Sequence, residues 1–401
     1  MFSTRLSPVT VIVPTYNRAA FLRHSLDSLL GQDWPPESIL CVDDGSSDDT
    51  RALAASYGSR IRYLHQENRG KSAALNRAIP LVDTEFVWFF DDDDHAYPWA
   101  TTLLLDALLE DPTLAFAFGT SDLGRSGADG SVEFVRRRDY PVLGAPMEVQ
   151  RATLLRMSYF TLCGSIVRTS AVRAAGCFRE ELTRSQDYEF LVRLALRGRF
   201  SYVGRSVFLQ RVHGGVRGSA TMQIPSSSVQ RTWRNFDRVI GHELLARLDL
   251  SDFERELPCL AETDPDLRRA PSERFARITR AWILATKSML DVVVDDLLSG
   301  LSVDGDVPLS RTERERLLAL MNHHYFAGAA GEHMKSLLRL CALQRSANGR
   351  EALLQFTRGL YWQARAADRQ KEKAALLALA VVYWVAAGRT PRGQRSSQPA
   401  A

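Results

Sequence analysis

The chain has 401 residues, 45% hydrophobic and 24% charged, with 51 Lys and Arg against 47 Asp and Glu for a net charge of +4. That length accommodates two domains, or one α/β domain with a large appendage, in a composition ordinary for a globular protein. The charge balance is too mild to indicate nucleic acid as a partner. Five scattered cysteines (Cys41, Cys163, Cys177, Cys259, Cys341) form no CxxC or Cys/His cluster, so neither a zinc site nor a disulfide framework is indicated. The first eight residues lack the charged-then-apolar plan of a signal peptide, and reduced thiols suit a cytoplasmic protein.

Val9-Thr10-Val11-Ile12-Val13 is a β-branched run that stops at Pro14, as a buried parallel strand does. Residues 19–30 then carry Phe21, Leu22, Leu26, Leu29 and Leu30 at helical spacing before Gly31. The alternation continues with a strand at 39–42, a helix at 49–57, a strand at 61–64, a helix at 72–79 and a strand at 86–90. Such alternation predicts βαβ units in a mainly parallel sheet with helices on both faces. In sheets of this kind ligands bind beyond the carboxyl ends of the strands. Three polar clusters fall there: Thr15-Tyr16-Asn17-Arg18, Asp43-Asp44-Gly45-Ser46, and Asp91 to Asp94.

Residues 123–146 are rich in Gly, Arg and Asp and read as a loop or hairpin excursion. A helix at 148–157, a strand at 164–167, a helix at 186–197 and an extended stretch at 202–212 follow. Residues 222–228 look like a linker, and beyond them helical periodicity dominates: 229–248, 272–299, 310–345 and 349–388. The expected domains are therefore 1–222 (α/β), 229–388 (all-helical) and a disordered tail at 389–401. Within the helical region, 374–388 (AALLALAVVYWVAAG) carries no charge. It is shorter than the roughly 20 residues of a spanning helix, so a buried core helix is the first reading, ahead of an interfacial membrane helix and, last, a span.

Four consecutive carboxylates after the apolar strand Phe86-Val87-Trp88-Phe89-Phe90 repel one another unless a cation neutralises them. Oxygen ligands on a loop suit Mg²⁺ or Mn²⁺ bound jointly with substrate phosphates. The bland alternative is a solvated acidic turn capping the helix after Pro98. Asp43 and Asp44, besides their turn chemistry, can accept hydrogen bonds from a base or a ribose, with Thr15 beside them. Asn68-Arg69-Gly70-Lys71-Ser72 opens a helix, where Lys71 or Arg69 can face a phosphate or simply be solvated.

The runs VTVIVPTYNRAAFLRHSLDSLLGQ, CVDDGSSDDT, ENRGKSAALNRAI and FVWFFDDDDHAYP resemble, in order and spacing, the family 2 inverting glycosyltransferases of GT-A fold over roughly residues 8–215. The resemblance implies a Rossmann-like sheet binding a nucleoside-diphosphate sugar, UDP being the commonest base. It aligns Asp91 and Asp93 with the DxD motif, Asp93 as main metal ligand and Asp91 toward ribose or donor sugar, with Mn²⁺ or Mg²⁺ as cofactor. Thr15, Asp43, Asp44, Asn68, Lys71 and Asp92 fall on the donor side. Ser185-Gln186-Asp187-Tyr188-Glu189 sits where the family keeps its catalytic base, which makes Asp187 the expected base. Arg211-Val212-His213 is similar to an Arg-x-His element whose His helps bind the metal or diphosphate. Leu75 stands where many relatives carry Arg. The implied acceptor is a glycan or lipid-linked hydroxyl. A chain that kept the fold but lost activity, a scaffold, is the alternative. The helical region reads as a cover for the core or as a platform for oligomers, a membrane face or a long acceptor.

Overall fold

The computed structural model describes residues 6–127, 131–212, 229–302, 307–321, 334–366 and 370–388. His213, the 222–228 linker and the 389–401 tail lie outside them. The chain divides into two compact units, one of Met1–Met147 with Ser158–Ser226 and one of Glu148–Met157 with Ser227–Ala401.

The first unit begins with β1 (Ser7–Thr15), α1 (Ala19–Leu30), β2 (Pro36–Asp43), α2 (Thr50–Ser56), β3 (Arg62–His65), α3 (Lys71–Ala78) and β4 (Phe86–Phe89). β1 lies between β2 and β4, and β3 pairs with β2, all parallel. Val9, Val11, Ile12 and Val13 have no exposed surface, which is why β1 reads as an uninterrupted apolar run rather than an alternating one. Leu22, Leu26 and Leu29 on one stripe of α1 join the same core. Next come β5 (His95–Ala96), α4 (Ala100–Glu110), β6 (Leu114–Ser126), β7 (Val132–Arg137), β8 (Ser165–Arg168), α6 (Thr169–Ala175), α7 (Gln186–Arg197) and β9 (Arg199–Val212), with α5 (Met147–Arg156) before β8. The sheet order is β3-β2-β1-β4-β8-β6-β9-β5, with β7 on the outer part of β6. β8 is antiparallel to both β4 and β6, while β6 and β9 run parallel.

The thirteen residues of β6 are the main departure from the expected series. Its first half is apolar and buried, but at Gly119 β9 approaches so closely that a Cβ would lie 2.4 Å from Val207 Cγ1. Polar Thr120, Ser121 and Asp122 follow, buried, so neither period-2 alternation nor a plain apolar run is left to read.

The second unit is helical: α8 (Val229–Arg247), α9 (Leu257–Thr263), α10 (Ser272–Ala285), α11 (Leu290–Ser302), α12 (Arg311–Met321), α13 (Met334–Arg339), α14 (Ala347–Ala366) and α15 (Gln370–Gly388). The helical periodicity expected over 272–299 is carried by two helices, α10 and α11, which part where Ser288 takes a left-handed φ of +57°. α5 packs in this unit: its Arg156 carbonyl accepts from Thr286 Oγ1 at 2.6 Å and Lys287 Nζ at 3.0 Å. The guanidinium of Arg156 stacks over Trp282 at 4.7 Å. The core of the unit holds an ion pair, Arg274 Nε to Glu313 Oε1 at 2.8 Å, both side chains fully buried. The remaining Arg274 donors reach the carbonyls of Val307 at 2.8 Å and Pro308 at 3.2 Å. Arg274→Leu strands the Glu313 carboxylate, so it is expected to destabilise the helical unit by ~3–5 kcal/mol in urea titration followed by circular dichroism. A loss below ~1 kcal/mol would show that the pair is dispensable.

Candidate active site

The ends of β1 and β2 are laced to the loops that follow them. Asp44 N–H donates to the Thr15 carbonyl at 2.9 Å. Asn17, at a left-handed φ of +52° that Asn tolerates better than most residues, donates its N–H to Ser46 Oγ at 2.8 Å and accepts Ser47 N–H at 2.7 Å. Asp43 accepts Ser46 N–H at 2.8 Å and the Tyr63 hydroxyl at 2.5 Å. Asp44 accepts the N–H groups of Arg69 and Gly70 at 2.9 and 2.8 Å, and Gln66 Nε2 at 2.8 Å. The buried Asp44 carboxylate thus anchors the loop that opens α3 and fixes where Lys71 begins. Gly45 makes this close approach feasible, at φ +87° with a Cβ position 2.9 Å from Asn68 N. Asn68 itself is exposed, and Arg69 pairs at the surface with Glu180 at 3.1 Å.

Beyond β4 the four aspartates are divided among three sets of partners. Asp91 accepts Lys71 Nζ at 2.7 Å. Asp92 accepts Thr15 Oγ1 at 2.7 Å and Arg18 Nη1 at 3.0 Å, and Asp93 takes the same guanidinium at 2.8 Å. Asp94 turns the other way, to Arg211 N–H at 2.9 Å and Cys163 Sγ at 3.6 Å. Burial and mutual repulsion raise Asp91, Asp92 and Asp94. Asp92 is pushed up to about 7 by burial, against the pull of Arg18. Asp94 lies well above the usual carboxylate range through burial and the charges of Asp93 and Asp91. Arg211, its side chain buried, donates Nε to the Asp93 carbonyl at 2.8 Å and stacks over Phe21 at 4.7 Å.

Asp187 enters from α7. Lys71 Nζ donates to its Oδ2 at 2.7 Å, so one ammonium joins the strand-end carboxylate of Asp91 to the helix-start carboxylate of Asp187. Burial opposes the charge on Lys71, but Asp187 and Asp91 outweigh it and hold the ammonium protonated. Asp187 Oδ1 is buried without a hydrogen-bond partner among the described residues. Ser185, two residues earlier, adopts φ +60°, a left-handed conformation uncommon outside glycine and one that sets how the chain enters the helix. α7 is held by Arg193, bound twice to Glu189 (2.7 and 2.9 Å) and to the carbonyls of Ala175 (2.5 Å) and Cys177 (2.9 Å). Phe178 stacks on Phe190 at 4.1 Å, and Phe89, the last residue of β4, meets both rings edge-on at 5.3 and 5.9 Å.

Of the residues expected at the site, Thr15, Asp92 and Asp93 are gathered by hydrogen bonds and Arg18, and Lys71, Asp91 and Asp187 form a second contact group. Asp43 and Asp44 support them from beneath, Asn68 is on the rim, and His213 is not among the described residues. Arg18 and Cys163 were not singled out in the sequence. Arg18 closes the polar cluster after β1, which was its signal; Cys163, among apolar residues, had none. The carboxylates of Asp91 and Asp94 and the Cys163 sulfur lie within 4.8 Å of one another. Burial, then Asp94 and Asp91, drive the thiol far up, so it stays protonated and serves as a donor. The available ligands are oxygens, a donor set that fits a hard cation such as Mg²⁺ or Mn²⁺ rather than zinc.

A mainly parallel α/β sheet that gathers carboxylates and a lysine beyond its strand ends has them where sheets of this kind bind ligands. Residues 10–160 match the model for glycosyl transferase family 2. An uncharacterized glycosyltransferase of Rickettsia bellii is 25% identical over 254 residues, 63% of this chain and 36% of that protein. A chondroitin synthase of Escherichia coli is also 25% identical over 254 residues, 62% of this chain and 34% of the other. The chain thus spans little more than a third of the length of these curated relatives. The crystal structure of S. aureus TarS 1–349 in complex with UDP-GlcNAc superposes with a TM-score of 0.53 at 16% identity, covering 90% of this chain and 93% of that one. That likeness establishes a shared fold.

Asp44→Ala removes an ionised acceptor from two backbone N–H groups and Gln66. It is expected to cost ~2–3 kcal/mol in denaturant unfolding of the first unit, where hydrogen bonds to charged groups contribute ~1.5–3 kcal/mol each. A change below ~0.5 kcal/mol would contradict its role as the loop's anchor.

Proposed function

We propose that the chain is an inverting glycosyltransferase that moves a sugar from a nucleoside-diphosphate sugar, with UDP as the nucleotide, to a hydroxyl of a glycan or lipid-linked acceptor. The observation that carries this reading is the Asp187 carboxylate: one oxygen bound to Lys71 and, through it, to Asp91, the other buried with no partner among the described residues. The match of residues 10–160 to the family model, the UDP-GlcNAc complex of TarS and the chondroitin synthase relative support the choice of donor and acceptor classes.

In this reading Asp187 takes the proton from the acceptor hydroxyl as its oxygen attacks the anomeric carbon. The bond from that carbon to the diphosphate breaks on the opposite face, so configuration inverts and no covalent enzyme intermediate forms. Lys71 orients Asp187 through their 2.7 Å contact and places positive charge beside the departing nucleoside diphosphate. Thr15, Asp43, Asp44, Asn68 and Asp92 border the donor's nucleoside. Asp93 and Asp91, with His213, are the residues assigned to a divalent cation. Mn²⁺ or Mg²⁺ held there supplies charge neutralisation for the leaving diphosphate.

Asp187→Asn removes the base and leaves the donor side intact. It is expected to lower kcat by roughly 10²–10⁴-fold with donor affinity little changed, measured as nucleoside diphosphate released from a panel of UDP-, GDP- and dTDP-sugars. Undiminished turnover would sink the assignment. Thermal shift with UDP and Mn²⁺ supplies the binding test: a nucleotide at a hundredfold its dissociation constant stabilises by about 2.7 kcal/mol, and Asp93→Asn is expected to remove the part that depends on Mn²⁺. If no nucleoside diphosphate shifts the midpoint, the chain is a scaffold.

A further inference from the structure

α15 is apolar on every side from Ala374 to Gly388, yet only half of its circumference is covered. Leu376, Leu379 and Tyr383 are buried, with Tyr383 against Phe356 of α14 at 6.0 Å and its hydroxyl donating to the Leu337 carbonyl at 2.7 Å. On the other side Leu377, Val381, Trp384 and Val385, spaced i, i+4, i+7 and i+8, are 36, 59, 62 and 39% exposed. A continuous stripe of this kind marks a contact surface, because isolated exposed apolar residues are ordinary and contiguous ones are not. No helix among the described residues is long and apolar enough to cross a membrane. The cover must therefore lie along the helix.

Charge decides what that cover is. Lys373 is exposed at the start of the stripe, and Arg358 and Arg365 are exposed on α14. Arg365 stands 5.5 Å over the ring of Trp362, itself 56% exposed beside an exposed Tyr361. From Lys373 to Ala401 the sequence holds Lys373, Arg389, Arg392 and Arg395 and no Asp or Glu. Two copies facing each other across a twofold axis would bring like charges together. A neutral apolar partner would leave the cations unused. An anionic lipid surface uses both features: the aliphatic stripe enters the acyl boundary, tryptophan sits at headgroup level, and the cations meet the phosphates.

We propose that α15 is an interfacial helix that lays its Leu377–Val381–Trp384–Val385 stripe flat on an anionic lipid surface, with the basic residues of α14 and of the sequence from Lys373 onward drawing it to the headgroups. The inference is independent of the transferase reading.

Flotation of the full chain with phosphatidylcholine vesicles, with and without about one third phosphatidylglycerol, tests it. The chain is expected to float with the anionic vesicles and not the neutral ones, and to be released as salt shortens the Debye length to a few Å (about 3 Å at 1 M). Val381→Glu with Trp384→Glu should abolish flotation while circular dichroism and the nucleotide thermal shift stay unchanged, since both side chains are exposed. Replacing Arg389, Arg392 and Arg395 by Ser should weaken binding roughly a hundredfold, about fivefold per cation, without touching the helix. That variant and the vesicle comparison stand even if the glutamates perturb folding. Absence of flotation with anionic vesicles overturns the proposal. So does a dimer in analytical ultracentrifugation that Trp384→Glu converts to monomer, which would give the stripe to a second copy.

Discussion

The Lys71 ammonium lies 2.7 Å from a carboxylate oxygen of Asp91 and 2.7 Å from one of Asp187, a residue 116 positions further along the chain. Both contacts demand that three elements end within a few ångströms of one point. α3 is brought there by Asp44, which takes the two N–H groups just before the helix and so couples its first turn to the end of β2. β4 and α7 are registered by the ring cluster of Phe89, Phe178 and Phe190. Asn76 of α3 completes the tie, exchanging hydrogen bonds of 2.7 and 2.9 Å with the backbone of Phe178. Apolar packing and buried hydrogen bonds therefore set the distances, and electrostatics supplies the chemistry at the point where they converge.

Concentrating carboxylates at a sheet end is costly in a partly buried setting, and the chain distributes that cost. Lys71 holds Asp91 and Asp187, Arg18 holds Asp92 and Asp93, and backbone and thiol donors hold Asp94. Even so Asp91, Asp92 and Asp94 are all pushed upward, with burial the largest cause for each. A residual excess of negative potential of this kind is what a cation or a diphosphate–cation pair relieves, and it suits a site that binds ligand rather than one that is only structural.

The parallel half of the sheet was legible because buried strands leave unbroken apolar runs that stop at polar clusters. β1, β2 and β4 each show that pattern, and the clusters they end in form the candidate site. The other half was less legible. β6 loses its signature at Gly119 and its buried polar stretch, and α5 reads as an ordinary helix although it packs with the helical unit. Lys71 was read as a surface cation or a phosphate ligand; that it bridges two carboxylates depends on tertiary convergence, which no local spacing encodes. Asp44 presents a similar case, since its inward role follows from N–H groups 25 and 26 residues away. The exposed half of α15 could not be told from its buried half, because both are apolar, each with leucine and one large aromatic residue, Trp384 on the exposed side and Tyr383 on the buried one.

The most direct test of the central bridge is a double-mutant cycle on folding stability using Lys71→Met, Asp187→Asn and the pair together. If the ammonium joins the two carboxylates as described, removing Lys71 leaves them facing each other, and Asp187→Asn relieves that repulsion. The bridge then predicts a coupling energy of roughly 1 kcal/mol or more between the two substitutions. Effects that add to within about 0.3 kcal/mol would contradict it.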